Sequence, residues 1–232
     1  MSRQPPVQQP PPVQRLRLRY AKRGRARFAS HRDFSRAFER ALRRGGVPMA
    51  FSSGFSPHPR ISYVNAAPTG AASEAEYLEI ALAQPVEPAD VRARLNAALP
   101  DGFVVLAVAD AIGPPLASLL THSRWAVALP DVPDEALRSG VAAFLAADAV
   151  SVERLTKNGL RTFDVRGAVV DLSVVGPGEL DLISQIGVPL VRADDVVRGV
   201  ANVCPAAVTG EPAMVTRLSQ GRLEGPALIE PF

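Results

Sequence analysis

Residues 15–44 read RLRLRYAKRGRARFASHRDFSRAFERALRR. The first six residues alternate between arginine and an apolar residue, which predicts a strand with one buried face and one arginine face. Ser30 is a good helix N-cap, and Asp33 three residues later completes a short-armed capping box. Apolar residues then recur at the spacing of one helix face, and Gly45-Gly46 is expected to end the helix. That apolar stripe comprises Phe34, Ala37, Phe38, Ala41 and Leu42.

The pattern beyond this helix completes a βαββαβ order. We predict short strands at 49–52 and 61–64, a longer strand at 76–82, a helix at 88–99 and a strand at 103–108. If the two short segments count as one interrupted strand, this order is the split-βαβ, ferredoxin-like arrangement.

The order partly recurs in the second half of the chain. We predict a strand at 125–129, a helix at 133–147, a hairpin around Asn158-Gly159, strands at 169–175 and 180–186, a helix at 192–203 and a strand at 214–218. The predicted fold class is therefore α+β, with two tandem ferredoxin-like (βαββαβ) units. The predicted divisions are a disordered Pro/Gln-rich tail (1–14), a basic domain (15–112), a linker (113–122), a second α+β domain (123–220) and a C-terminal tail (221–232).

The composition excludes several classes of protein. Cys204 is the single cysteine, so one chain cannot build a disulfide framework, a cysteine-based zinc site or a cysteine-ligated iron–sulfur cluster. No stretch approaches the roughly 20 apolar residues that span a bilayer. The first 14 residues lack the apolar core of a signal peptide, so we expect a cytoplasmic protein. No nucleotide, nucleophile-elbow or zinc-protease motif is present, and we expect no cofactor or metal in this chain.

Positive charge is concentrated near the start of the chain. Thirteen of the 26 lysines and arginines lie between Arg15 and Arg60, against two acids, which gives this block a net charge of +11. The residues after Arg60 carry twelve bases and 21 acids, a net charge of −9. Such asymmetry favours a polyanionic partner, with RNA or DNA first.

The first helix and strand supply the candidate phosphate contacts. Arg32, Arg36, Arg40 and Arg44 are spaced by four residues and are predicted to form one ridge of guanidinium groups beside the buried stripe. The arginine face of the strand adds Arg17 and Arg19, and the helix start at Ser30 adds free N–H groups. The alternative is the solvated face of an amphipathic helix.

A proline-stiffened loop, Gly54-Phe-Ser-Pro-His-Pro-Arg60, is the most unusual short stretch. Phe55 could stack on a base, while His58 and Arg60 could bind a phosphate. We hypothesise that Ser30, His31, His58 and Arg60 share one anion pocket. The alternative for the loop is a stiff turn with a surface histidine.

The hairpin of the second half carries a further set of bases. Lys157, Arg161 and Arg166 are candidates for a secondary anion contact. Cross-strand charge pairs involving Asp164 are the alternative.

Residues 28–48, 54–60 and 73–77, with the hairpin 157–166, resemble a bacterial family of radical SAM-linked proteins, the DUF2344 domain. The resemblance implies an accessory of a radical SAM enzyme that acts on RNA or a ribosomal component. Arg32 departs from the leucine that family members typically have there. The chain lacks the Cys-x-x-x-Cys-x-x-Cys cluster motif, so S-adenosylmethionine and an iron–sulfur cluster would belong to a partner in trans.

Three functions follow as expectations. The first is a non-catalytic accessory protein that binds RNA (tRNA or rRNA), or an RNA–protein substrate, and presents it to a radical SAM partner. The second is a metal-independent ribonuclease that uses His31 and His58. The third is a protein-interaction module whose basic face meets an acidic partner.

Overall fold

The computed structural model describes residues 8–156, 159–209 and 211–232. The chain divides into two compact units. The first unit ends at Ser118 and also includes Phe232, and the second covers residues 119–231.

The first unit is a four-stranded antiparallel sheet with two helices. Its elements are β1 (Gln14–Lys22), α1 (His31–Arg44), β2 (Ile61–Val64), β3 (Ala72–Leu82), α2 (Pro88–Ala98) and β4 (Phe103–Asp110). The strand order is β4-β1-β3-β2. This is the ferredoxin-like arrangement, as the sequence predicts.

The core of this unit lies between the sheet and its helices. Leu16, Leu18 and Tyr20 alternate along β1 and join the buried cluster to which α1 contributes its apolar stripe. The Tyr20 and Phe34 rings stack with 4.2 Å between their centroids. All five predicted stripe residues are buried, and each large one contributes about 1.5–3 kcal/mol of transfer free energy.

The second unit repeats the arrangement with an insertion. After a single helical turn, α3 (Leu116–Leu119), come β5 (His122–Ala128), α4 (Asp134–Ala146), β6 (Ser151–Thr156), β7 (Gly159–Asp164), β8 (Val169–Gly176), β9 (Glu179–Gln185), α5 (Ala193–Val203), β10 (Met214–Glu224) and β11 (Ala227–Ile229). Its main sheet has the order β10-β5-β9-β8, with β11 added to β10. The hairpin β6-β7 is a separate two-stranded sheet inserted between α4 and β8.

Three stretches differ from their predicted form. Residues 49–52 form only isolated bridges, Met49 with Leu82 and Phe51 with Pro59. The predicted linker contains α3 and the first residue of β5. The predicted C-terminal tail continues the second sheet through the end of β10 and β11. In the predicted N-terminal tail, residues 1–7 lie outside the described residues, and β1 begins at Gln14.

Candidate nucleic-acid interface on the first helix

The start of α1 is held by the predicted capping box. The Ser30 hydroxyl accepts a hydrogen bond from the Asp33 N–H at 3.2 Å and donates one to the Asp33 carboxylate at 2.6 Å. The Ser30 N–H also donates to that carboxylate. These hydrogen bonds hold the pKa of Asp33 below its ordinary value. The Asp33 carboxylate therefore already provides a negative charge at the helix start, and the Ser30 side chain acts as the N-cap.

The outer face of α1 is a row of exposed arginines. It comprises Arg32, Arg36, Arg40, Arg43 and Arg44, which we call the arginine face. Within the described residues, none of the five has a carboxylate at ion-pair distance. From Arg32 to Arg44 these charges spread along about 18 Å of the helix. Selecting arginines at a spacing of four residues does not include Arg43. Arg43 nevertheless lies on the same helix face, because it follows Arg36 by seven residues.

The arginines of β1 do not form a surface, contrary to the prediction. Arg17 is buried, and its Nε donates to Glu79 at 2.8 Å while the guanidinium also donates to the Pro114 carbonyl. Arg19 is half-buried and donates to the Glu74 carbonyl at 2.9 Å. Both side chains therefore stabilise the fold, since each donates hydrogen bonds to acceptors in the same unit.

The loop that contains His58 is a narrow, internally bonded ribbon. The Ser52 N–H donates to the His58 carbonyl at 2.8 Å, and the His58 N–H donates to the Ser52 hydroxyl at 3.0 Å. Arg60 Nε donates to the Phe51 carbonyl at 3.1 Å. His58 is exposed, and Phe55 is 68% exposed at the tip.

The described contacts do not bring His31 and His58 together in one pocket. The His31 ring packs edge-to-face against Tyr63, with 4.7 Å between the centroids. His58 lies five residues before Tyr63, about 16 Å along an extended chain. Its neighbour Pro59 instead borders a 90 Å³ cavity with Arg43 near the other end of α1. The crossover topology forces this separation, because α1 runs antiparallel to β2, so its first turn lies beside the end of that strand.

The hairpin bases have different roles. Lys157 lies outside the described residues. Arg166 donates to the Leu145 carbonyl at 3.2 and 3.3 Å and to the Val169 carbonyl at 3.1 Å, so it anchors the chain near the end of α4. Arg161 is exposed. Asp164 accepts backbone N–H groups, one of them from Val150 at 2.8 Å, and so does not form the cross-strand charge pair considered above.

The comparison with family models decides the relationship. Residues 15–197 match the family described as an uncharacterized protein conserved in bacteria, DUF2344. The chain belongs to the DUF2344 family. No curated protein matches this DUF2344 chain.

Two solved structures resemble the DUF2344 chain distantly. One is an unknown protein from Galdieria sulphuraria, at 16% identity and a TM-score of 0.25, covering 88% of this chain and 98% of that one. The other holds the first two RRM domains of the yeast poly(U)-binding protein, at 14% identity and a TM-score of 0.21, with the same coverage.

Two further observations concern metal sites and membrane-spanning helices. In the described part of the DUF2344 chain, no three His, Cys, Asp or Glu residues cluster in a way that could hold a metal ion. Across the same residues, no helix is both long and apolar enough to cross a membrane.

Proposed function

We propose that this DUF2344 chain is a non-catalytic, cytoplasmic accessory protein that binds RNA through the arginine face of α1. The observation that carries the proposal is the set of five exposed guanidinium groups without ion-pair partners in the described residues. Like charges at i,i+4 destabilise a helix by a few tenths of a kcal/mol per pair. Phosphates would remove that repulsion, and a guanidinium fork can bind each one bidentately.

Exposed aromatic rings near both ends of α1 support unpaired nucleotides as the ligand. Phe28 is 66% exposed and precedes the N-cap by two residues. Phe51 is 42% exposed and borders the small cavity next to Arg43. Bases of single-stranded RNA stack on such rings, whereas bases in a duplex are not available for stacking.

The helix is a better candidate than the sheet. An RNA-recognition sheet presents aromatic residues on its two central strands to solvent. The two central strands here are β1 and β3, and on the side away from α1 they carry the buried residues Arg17 and Tyr77. These two positions of the sheet face are therefore not open to a base, whereas the arginine face of α1 is exposed.

The geometry does not favour RNA cleavage. The ribonuclease alternative needs two histidines at one phosphate, and His31 and His58 lie near different ends of α1. The resemblance to radical SAM-linked proteins adds a partner enzyme to the proposal. That partner would supply S-adenosylmethionine and the iron–sulfur cluster, and this chain would supply RNA binding.

The test compares two triple variants that change net charge equally. Arg36→Gln, Arg40→Gln and Arg43→Gln together remove charge from the arginine face. The matched control replaces Arg124, Arg138 and Arg222 with Gln. Each of these three arginines is ion-paired to a carboxylate in the second unit. Binding to a fluorescent single-stranded RNA is measured by anisotropy over a range of salt concentrations.

We expect the arginine-face variant to bind more weakly and to lose about 2 from the slope of log K against log salt, since each phosphate contact on a single strand contributes about 0.7. The control should keep the slope of the wild type. Equal losses in both variants would show that net charge alone attracts RNA and would contradict the proposal.

A further inference from the structure

The inserted hairpin forms one wall of a cavity of about 370 Å³. Its lining includes Arg154, Arg161, Thr156, Thr162, Phe163 and Val188. The volume falls within the range of about 300–1,000 Å³ that is typical of small-molecule sites. One part of the lining is cationic and polar and the other is apolar, so the cavity fits a ligand with two chemically different ends.

Arg154 is fixed in place before any ligand arrives. Its guanidinium donates to the fully buried Asp195 carboxylate at 2.5 Å and to the Leu190 carbonyl at 3.1 Å. Its Cζ lies 4.7 Å from the centre of the Phe163 ring, in a cation–π contact. The Arg154 side chain is only 16% exposed. Such preorganisation lowers the entropy cost of binding an anion.

Arg161 faces Arg154 directly across the hairpin ladder. Like charges at directly opposed positions of an antiparallel pair destabilise it. Among the described residues, Arg161 has no carboxylate at ion-pair distance. The single charge of Asp195 is already shared between Arg154 and Arg198. Positive charge therefore remains in excess around the cavity.

A second cavity that is also lined by Arg154 serves as an internal comparison. It has a volume of about 610 Å³, and its lining balances the three carboxylates of Asp194, Asp195 and Glu211 against three arginines: Arg154, Arg192 and Arg198. The lining of the hairpin cavity contains no carboxylate among the described residues. An anion is therefore directed to the hairpin cavity.

We propose that the hairpin cavity binds an organic phosphate of nucleotide size. The phosphate lies between Arg154 and Arg161, and the base or sugar packs against Phe163 and Val188. Such a group is either a free mononucleotide or the phosphorylated end of an RNA strand. The site is independent of the arginine face, so each can fail without the other.

Isothermal titration of the full chain with AMP, inorganic phosphate and adenosine tests this site. We expect AMP to bind with a Kd below about 1 mM. Arg161→Gln should weaken AMP binding by about tenfold, since the exposed Arg161 is removed from a charge-assisted contact. Arg222→Gln, at an exposed arginine of the same unit, should have no effect. Phe163→Leu should weaken AMP binding more than it weakens the binding of inorganic phosphate, because the ring packs against the base or sugar in addition to holding Arg154 in place.

A short RNA with a 5′-phosphate and the same RNA with a 5′-hydroxyl separate the two sources. Both are added to the variant that carries Arg36→Gln, Arg40→Gln and Arg43→Gln. Competition with AMP by the phosphorylated RNA alone identifies an RNA end as the ligand. No competition by either identifies a free nucleotide. Adenosine binding as well as AMP, no AMP binding at millimolar concentration, or equal loss in Arg161→Gln and Arg222→Gln would overturn the site.

Discussion

His31 packs edge-to-face against Tyr63 and does not lie beside another titratable imidazole. Burial raises the pKa of Tyr63 to about 12, and the negative charge of Glu39 adds to the rise. The Ser35 hydroxyl donates to the His31 carbonyl at 2.9 Å. His31, one of the two histidines considered as catalytic candidates, therefore takes part in the packing of α1 against β2.

The Tyr63 hydroxyl should make stability depend on alkaline pH. The unfolded chain ionises tyrosine near pH 10, and the folded chain ionises Tyr63 only near pH 12. The contribution of Tyr63 is therefore complete below about pH 10 and is lost as the pH rises toward about 12. Urea unfolding at about pH 9 and about pH 11 should show a steeper loss for the wild type than for Tyr63→Phe. Identical losses would mean that Tyr63 ionises normally.

Local residue patterns predicted the capping box but not the contacts of the histidines. Ser30 and Asp33 are three residues apart, so the sequence contains everything that determines their hydrogen bonds. The His31–Tyr63 contact depends on where a strand 30 residues away enters the sheet, and no local spacing encodes that position.

At the scale of the element, α1 was predictable and the outer face of β1 was not. The apolar stripe of α1 follows the 3.6-residue period, so its burial also identified the exposed arginines. The alternation of arginine and apolar residues in β1 correctly predicted a strand. An alternating pattern separates an apolar face from an arginine face, but it does not show whether other residues cover the arginine face. The partner of Arg17 is Glu79, 62 residues away, and only the strand register reveals that pairing.

Substitutions at Arg40 test whether the arginines proposed to bind RNA lower the stability of α1. Arg40→Glu converts its two i,i+4 repulsions, with Arg36 and Arg44, into attractions. We expect the free energy of unfolding to rise by about 0.5 kcal/mol and RNA binding to weaken. Arg40→Gln should give intermediate values, since it removes repulsion without adding attraction. A loss of stability in both variants, measured by urea unfolding, would show that Arg40 makes a favourable contact in the fold.

At the scale of the whole molecule, the two halves share a topology but not a charge. Both units have the strand order of a split βαβ fold, and the basic block between Arg15 and Arg60 lies entirely in the first. The element order predicted both units. The insertion of β6-β7 between α4 and β8 was not predicted as an insertion, because a hairpin pattern looks the same inside or outside the main sheet.

The charge of the basic block should give salt two opposite effects on the same protein. Ions screen repulsion among the arginines, so raising NaCl from about 20 mM to about 200 mM should increase the free energy of unfolding by roughly 0.5–1 kcal/mol. RNA affinity should fall over the same range because fewer counterions are released. The variant carrying Arg36→Gln, Arg40→Gln and Arg43→Gln should show both dependences reduced together, since the same charges cause both. Stability that falls with salt in the wild type would mean that its ion pairs, such as Arg23 with Glu74, outweigh the repulsion within α1.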